Sequence, residues 1–269
     1  MSLAVVTGLA AEARIAQAPD IVMLIGAGRA DRLAADLEIA IAEGARRLLS
    51  FGVAGAVAPR LRPGDLIVAQ SVRDGGRSLG CDPAWRTAIV ECLTGPSLQA
   101  KPGDRVASAS TSNSATGPIS GLLRFARNDG WAPIADPGCQ GVVADIVGVD
   151  APLAAPLAKA ALFAATGAAA IDMESAIVAR AAVRRGLPFA ILRVIADPAH
   201  RPLPPAALVA MRADGGVDVA AVLSALLRNQ AQLPALIRLG LDSREAFSAL
   251  VRVRALLGAD FASVDLGDL

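Results

Sequence analysis

Short apolar runs alternate with amphipathic stretches through the first quarter of the chain. Residues 3–7 form one run, ending at Gly8, and residues 21–25 form a second, ending in Gly26-Ala27-Gly28. Apolar positions then recur at helical spacing over residues 30–42, with Asp31, Arg32, Asp36 and Glu38 on the other side, and Gly44 stops the helix. Residues 47–51 predict a third strand that opens into Gly52-Val53-Ala54-Gly55, and residues 65–70 a fourth after a Pro/Gly turn. Strands alternating with helices predict an α/β fold around a sheet with parallel connections.

Residues 95–141 break this rhythm. KPGDRVASASTSNSATGPISG is rich in Ser, Thr, Gly and Pro, and RFARNDGWAPIADPGCQG follows without periodicity. Such a segment has too little apolar surface to offset its ordering entropy, which predicts a disordered surface insertion; the alternative is an ordered lid over an active site. Strand-like pattern returns at 142–147, and a helix is expected at 157–165. A βαβ unit follows: strand 168–172, helix 174–185 ended by Gly186, and a buried strand over 188–195 stopping at Asp197. Residues 204–212, 217–228, 233–239 and 243–257 predict helices on one flank of the sheet.

Composition narrows the function. The 269 residues are 54% hydrophobic and the mean hydropathy is +0.50, high enough to raise a membrane span. No run of about eighteen apolar residues lacks a charge, proline or turn, so no transmembrane segment is expected. The start, MSLAVVTGLAAEAR, lacks a basic region before its apolar run and is expected to be a first strand, not a signal peptide. A net charge of +1 argues against a nucleic-acid partner. One histidine, His200, precludes a His-rich metal site, and three cysteines without a CxxC pair fit a cytoplasmic protein. With no tyrosine either, acid–base chemistry falls mostly to carboxylates.

Ligands of open α/β sheets bind beyond the carboxyl ends of the strands. Glu174 and Asp197 end two strands joined by one crossover, and Glu12 follows the first strand, so three carboxylates can share one crevice. Each has an ordinary alternative. Glu174 suits the first turn of a helix, Asp197 before Pro198 suits a turn, and Glu12 suits a solvated helix start. Gly26-Ala27-Gly28 lacks the third glycine of a dinucleotide fingerprint, because Asp31 stands there.

The string AAAIDMESAIVARAAVRRGLPFAILRVIAD resembles the signature segment of the purine nucleoside phosphorylase and methylthioadenosine nucleosidase superfamily. LLSFGVAGAVAPRLRPGDLIVA is similar to that family's glycine-rich turn followed by Gly-Asp before a strand. The resemblance covers roughly residues 3–75 and 142–200. It implies a single nucleoside phosphorylase-like domain over 1–269, with a central mixed twisted sheet flanked by helices. RVIADPAHRPLPPAA and LPALIRL resemble the hopanoid-associated phosphorylase branch, whose members act on adenosylhopane.

The resemblance implies roles residue by residue. Asp197 matches the acid at purine N7, Glu174 the carboxylate on the ribose hydroxyls, and Met173 the methionine beneath the sugar, with Asp172 beside them at the same strand end. Ala54 and Gly55 match the base pocket, while Pro152 and Leu153 replace a stacking aromatic and its neighbour. The phosphate-binding residues of the phosphorylases are replaced by Glu12, Ser50 and Val53, a poor cradle for a dianion. Glu12 instead matches the carboxylate that activates water in the nucleosidases, and Arg193 an arginine that helps hold that water. Gly8, Gly28, Arg29 and Ser50 are the candidates for a phosphate or water site. No cofactor is implied beyond phosphate as a candidate co-substrate. The expected partner is a small or lipid-linked nucleoside, with transient membrane contact and a homo-oligomeric assembly as further expectations.

Overall fold

The computed structural model describes residues 2–94, 131–136, 139–209, 212 and 214–263. The strands are β1 (Ser2–Thr7), β2 (Ile21–Ile25), β3 (Ala45–Ala56), β4 (Leu66–Asp74), β5 (Arg77–Gly80), β6 (Ala132–Asp136), β7 (Cys139–Gly148), β8 (Ala170–Asp172) and β9 (Phe189–Asp197). They form one mixed sheet, in which β2 and β1 lead into β3, and β3, β8, β7, β4 and β9 pair in a closed ring. The helices are α1 (Ala10–Ala16), α2 (Ala30–Ala42), α3 (Pro83–Thr94), α4 (Pro156–Thr166), α5 (Ser175–Arg185), α6 (Pro205–Leu208), α7 (Val219–Arg228) and α8 (Leu233–Leu257). The fold is therefore α/β with a central mixed sheet between helices.

Two apolar layers hold it. On one face Leu33 and Leu37 of α2 and Ile177 and Val178 of α5 pack with Ile191 and Ile195 of β9. On the other, Trp85 and Ile89 of α3 and Leu250 and Val253 of α8 pack with Leu192 and Val194. Both faces of β9 are covered, which explains its near-continuous apolar sequence. Arg193 is the one charged residue inside that run before its terminal Asp197.

Several elements differ from the sequence expectation. The strand expected at 47–51 does not stop at the glycines but continues to Ala56. Gly52, at φ +155°, is a conformation open to glycine, and there β3 leaves β1 and goes on to pair with β8. The two expected helices at 233–239 and 243–257 are one, because Gly240 sits in an exposed interior position where helix is tolerated. The helix expected at 204–212 shortens to α6, and α3 and the β4–β5 hairpin carried too weak a periodicity to be assigned. Of the expected insertion at 95–141, residues 95–130 and 137–138 lie outside the described residues. The rest forms β6 and the start of β7, with Trp131 and Ile134 buried. No helix among the described residues is long and apolar enough to cross a membrane.

The C-terminal half of α8 is seated and its N-terminal half is not: Leu250 is 0% exposed and Leu241 60%. Leu250→Ala should cost about 2–5 kcal/mol in urea unfolding. Leu241→Ala should stay within about 0.5 kcal/mol of the parent.

Candidate active site

A cavity of about 220 Å³ opens at the ends of β1, β3, β8 and β9. Glu12, Glu174 and Asp197 all line it, so the three carboxylates do converge. Gly8, Asp172 and Met173 form one wall and Ala54, Gly55, Pro152 and Leu153 another, with Val149, Ile171 and Leu203 adding apolar surface. No arginine or lysine among the described residues lines it.

Glu12 sits in the first turn of α1 and is 1% exposed. Its Oε2 accepts the Gly8 and Leu9 N–H groups at 2.8 Å each, and its Oε1 accepts the Val53 N–H at 2.8 Å. The turn after β1 and the bend of β3 thus converge their donors on a side chain of the protein itself. A carboxylate has about four acceptor positions, so one stays open on this cavity-lining side chain. Burial raises the Glu12 pKa, opposed by Arg193 and by the three N–H donors.

Arg193 lies behind the cavity wall, fully buried. Its Nη2 donates to Ser50 Oγ at 2.6 Å, pairs with Asp172 Oδ2, and lies 3.7 Å from Glu174 Oε2. Asp172 Oδ2 also accepts the Ser175 hydroxyl, and Ser175 Oγ meets Ser50 Oγ at 3.0 Å. Burial alone would lower the guanidinium pKa, but the charges of Asp172, Glu174 and Glu12 outweigh it and raise it. Arg193 Nε and Nη1 have no hydrogen-bond partner among the described residues. A Cβ on Gly52 would lie 2.7 Å from Nη1 and 2.7 Å from Glu12 Oε1, so only glycine leaves both groups in place.

Glu174 precedes α5 and is 7% exposed. It rests against two glycines: a Cβ on Gly8 would lie 3.1 Å from its Oε1, and one on Gly26 2.9 Å from its Cγ. Burial pushes its carboxyl up to about 7; Arg193 opposes this, while Asp172 and Glu12 add to it. Asp197 closes β9 at a register shift, where Ala54 pairs with Ile195 but Gly55 pairs with Asp197. This irregularity brings Asp197, not Ala196, level with Gly55. Burial raises the Asp197 pKa, and Lys159, whose Nζ lies 2.5 Å from Oδ2, opposes the rise.

The remaining candidates are placed apart. Gly28 and exposed Arg29 border a separate small cavity with Asp150 and the outer side of Met173 and Glu174. Gly26-Ala27-Gly28 is a tight turn, with Ala27 at φ +48° and Gly28 at φ +69°. Ser50 is buried in the Arg193 network and does not line the main cavity. The sequence places Gly52 and Ser175 at strand ends without a role, and Lys159 was missed. Lys159 carried one usable signal: it is the sole charge in the apolar stretch PLAKAALFAAT.

Glu174 holds its proton more tightly folded than unfolded. Its contribution to stability is therefore full below its ordinary value of 4.5 and is lost as pH rises toward 7. Glu174→Gln removes that dependence. The variant should gain about 3 kcal/mol on the parent between pH 4.5 and 7 in denaturant unfolding without ligand. Parallel stability curves would place an ordinary carboxyl at this position.

The Phosphorylase superfamily profile matches residues 3–228 of the chain. No curated protein matches the sequence. Among solved structures, a 5′-methylthioadenosine/S-adenosylhomocysteine nucleosidase from Colwellia psychrerythraea, in complex with adenine, is similar at TM-score 0.56 and 14% identity. That match covers 98% of this chain and 97% of that one. The Campylobacter jejuni 5′-methylthioadenosine/S-adenosylhomocysteine nucleosidase gives TM-score 0.53 at 17% identity, over 85% and 95% of the two chains. Futalosine hydrolase of Helicobacter pylori gives TM-score 0.52 at 13% identity, over 95% and 97%. At these identities the structures share the fold, while the profile match spans most of the sequence, and the chain belongs to the phosphorylase superfamily.

Proposed function

We propose that this protein cleaves the N-glycosidic bond of an adenine nucleoside with an apolar 5′ substituent, using water as nucleophile. One observation carries this reading: four buried carboxylates, Glu12, Asp172, Glu174 and Asp197, line a largely apolar cavity where Glu12 already takes the Gly8, Leu9 and Val53 N–H groups. A phosphate dianion at that end would meet a carboxylate and no lining cation, and so would be repelled. Water suits the place. Glu12 accepts a proton from it through its open acceptor position, and Arg193, behind the wall, keeps that carboxylate charged.

Asp197 gives its proton to purine N7 as the bond from C1′ to N9 breaks and the electron pair leaves with the base. Glu174 binds the ribose hydroxyls and offsets the positive charge developing on the sugar. The water oxygen bonds to C1′ while Glu12 takes its proton. Met173 packs beneath the sugar, Ala54 and Gly55 border the base, and Pro152 and Leu153 supply apolar surface in place of a stacking ring. Asp197→Asn cannot supply the proton. Adenine release from a 5′-alkyl adenosine should fall by at least about 10²-fold, while calorimetric binding of a non-cleavable analogue survives. Turnover near the parent's would remove Asp197 from the mechanism.

The finer reading, an adenosylhopane-like substrate in hopanoid biosynthesis, draws support from Val149, Pro152, Leu153 and Leu203 at the cavity and from no polar partner there for a 5′ hydroxyl among the described lining residues. Exposed Val219, Leu223 and Leu227 of α7 fit transient contact with a lipid surface. Each methylene added at the 5′ position should raise kcat/KM roughly fourfold until the groove is filled, at about 0.8 kcal/mol per buried methylene. A flat or falling series would favour a methylthioadenosine-type substrate.

A further inference from the structure

We propose that Lys159 is a positioning residue for Asp197: it fixes the carboxylate through Oδ2, leaves Oδ1 for the nucleobase, and ties the acid to the loop at the cavity mouth. The proposal rests on the reading of Asp197 as the acid. Lys159 is one of two lysines in the chain and is 0% exposed on α4. Its Nζ donates to Asp197 Oδ2 at 2.5 Å, to the Pro198 carbonyl at 3.3 Å and to the Arg201 carbonyl at 3.4 Å. An ammonium has three N–H donors, and here each has an acceptor. Lys159 does not line the cavity, so no donor is left over for a substrate. Its action passes through the acid.

The two carbonyls belong to the loop after β9, which also carries Leu203. The Leu203 N–H donates to the Ala154 carbonyl at 3.0 Å, so the loop is held at a second point to the segment entering α4. Leu203 lines both the active cavity and an adjoining cavity of about 340 Å³ bounded by α8, and Asp197 lines both as well. The acid therefore stands between two spaces, and without a fixed Oδ2 its carboxyl could turn toward either. Lys159 supplies that fixture from outside the active cavity. The other charges around Asp197 are Arg201 on the loop and Asp242 on α8, which pair with each other. Lys159 is thus the cation bonded directly to the acid.

A cation at Oδ2 also makes the acid easier to deprotonate, against the effect of its burial. Base release needs Asp197 protonated, so activity falls as pH rises through its titration. Removing the cation must move that alkaline limb upward.

The experiment measures kcat and KM against pH for the full chain and for Lys159→Met, Lys159→Gln, Lys159→Arg and Asp197→Asn, with a 5′-alkyl adenosine as substrate. Lys159→Met is expected to lower kcat roughly 10–100-fold. Its KM should stay within about threefold of the parent's, and the alkaline limb should move up by about one pH unit or more. Lys159→Gln keeps a donor but no charge and moves the limb the same way, which serves should the methionine variant fail to fold. Lys159→Arg should return the limb to the parent's position. A folded Lys159→Met or Lys159→Gln with the parent's limb and kcat, beside an inactive Asp197→Asn, would overturn the role of Lys159 alone. An active Asp197→Asn would overturn the reading of the acid instead.

Discussion

The guanidinium of Arg193 is the constraint around which this structure is arranged. It stands in the middle of a strand whose neighbours are apolar on both faces, and it has no access to solvent. A lone cation there would cost several kcal/mol in lost hydration, so the fold surrounds it with carboxylates. Asp172 and Glu174 reach it from the end of β8, and Glu12 from the first turn of α1. Ser50 and Ser175 satisfy one edge of the network. The carboxylates are then themselves buried, and all three line the cavity together with Asp197. One buried charge thus explains both why β9 stays packed against α5 and why acidic groups gather at the strand ends.

That arrangement bears on the choice of nucleophile. A phosphate site needs cations or free N–H donors pointing into the cavity. Here the Gly8, Leu9 and Val53 N–H groups point at Glu12, and the nearest guanidinium is turned to its own carboxylates. Gly52 permits the close approach, because any side chain there would displace Glu12 or Arg193. The register shift in β9 and the Lys159 ammonium fix Asp197 level with Gly55. The cavity therefore holds chemically distinct carboxylates: Glu12 cradled in amides, and Asp197 with a cation behind it.

Much of this could be read from the chain. The segment holding Asp172, Glu174 and Asp197 had a clear apolar strand, a helical pattern and Gly186 as its stop, and the structure builds those elements. But β8 runs antiparallel to β3 and β9 parallel to it, so they do not form the expected parallel βαβ unit. The strand ends were legible because apolar runs finish at small or acidic residues. Ser50 and Lys159 were not assigned their contacts, because each is fixed by partners distant in sequence: Ser50 lies 143 residues from Arg193. The glycines of β3 were read as a turn, since nothing local says that a strand can bend at Gly52 and pair onward with β8. The joined helix α8 was hidden by Gly240, which interrupts the pattern without breaking the helix.

The central claim is that a carboxylate cluster anchored on Arg193 excludes phosphate from the nucleophile position. It is tested most directly by identifying the sugar product of turnover in saturating inorganic phosphate, using phosphorus NMR, with adenine release followed in parallel. The account predicts free sugar, no sugar 1-phosphate, and a rate of adenine release that phosphate leaves unchanged. Formation of sugar 1-phosphate, with a rate that rises and saturates with phosphate, would contradict it.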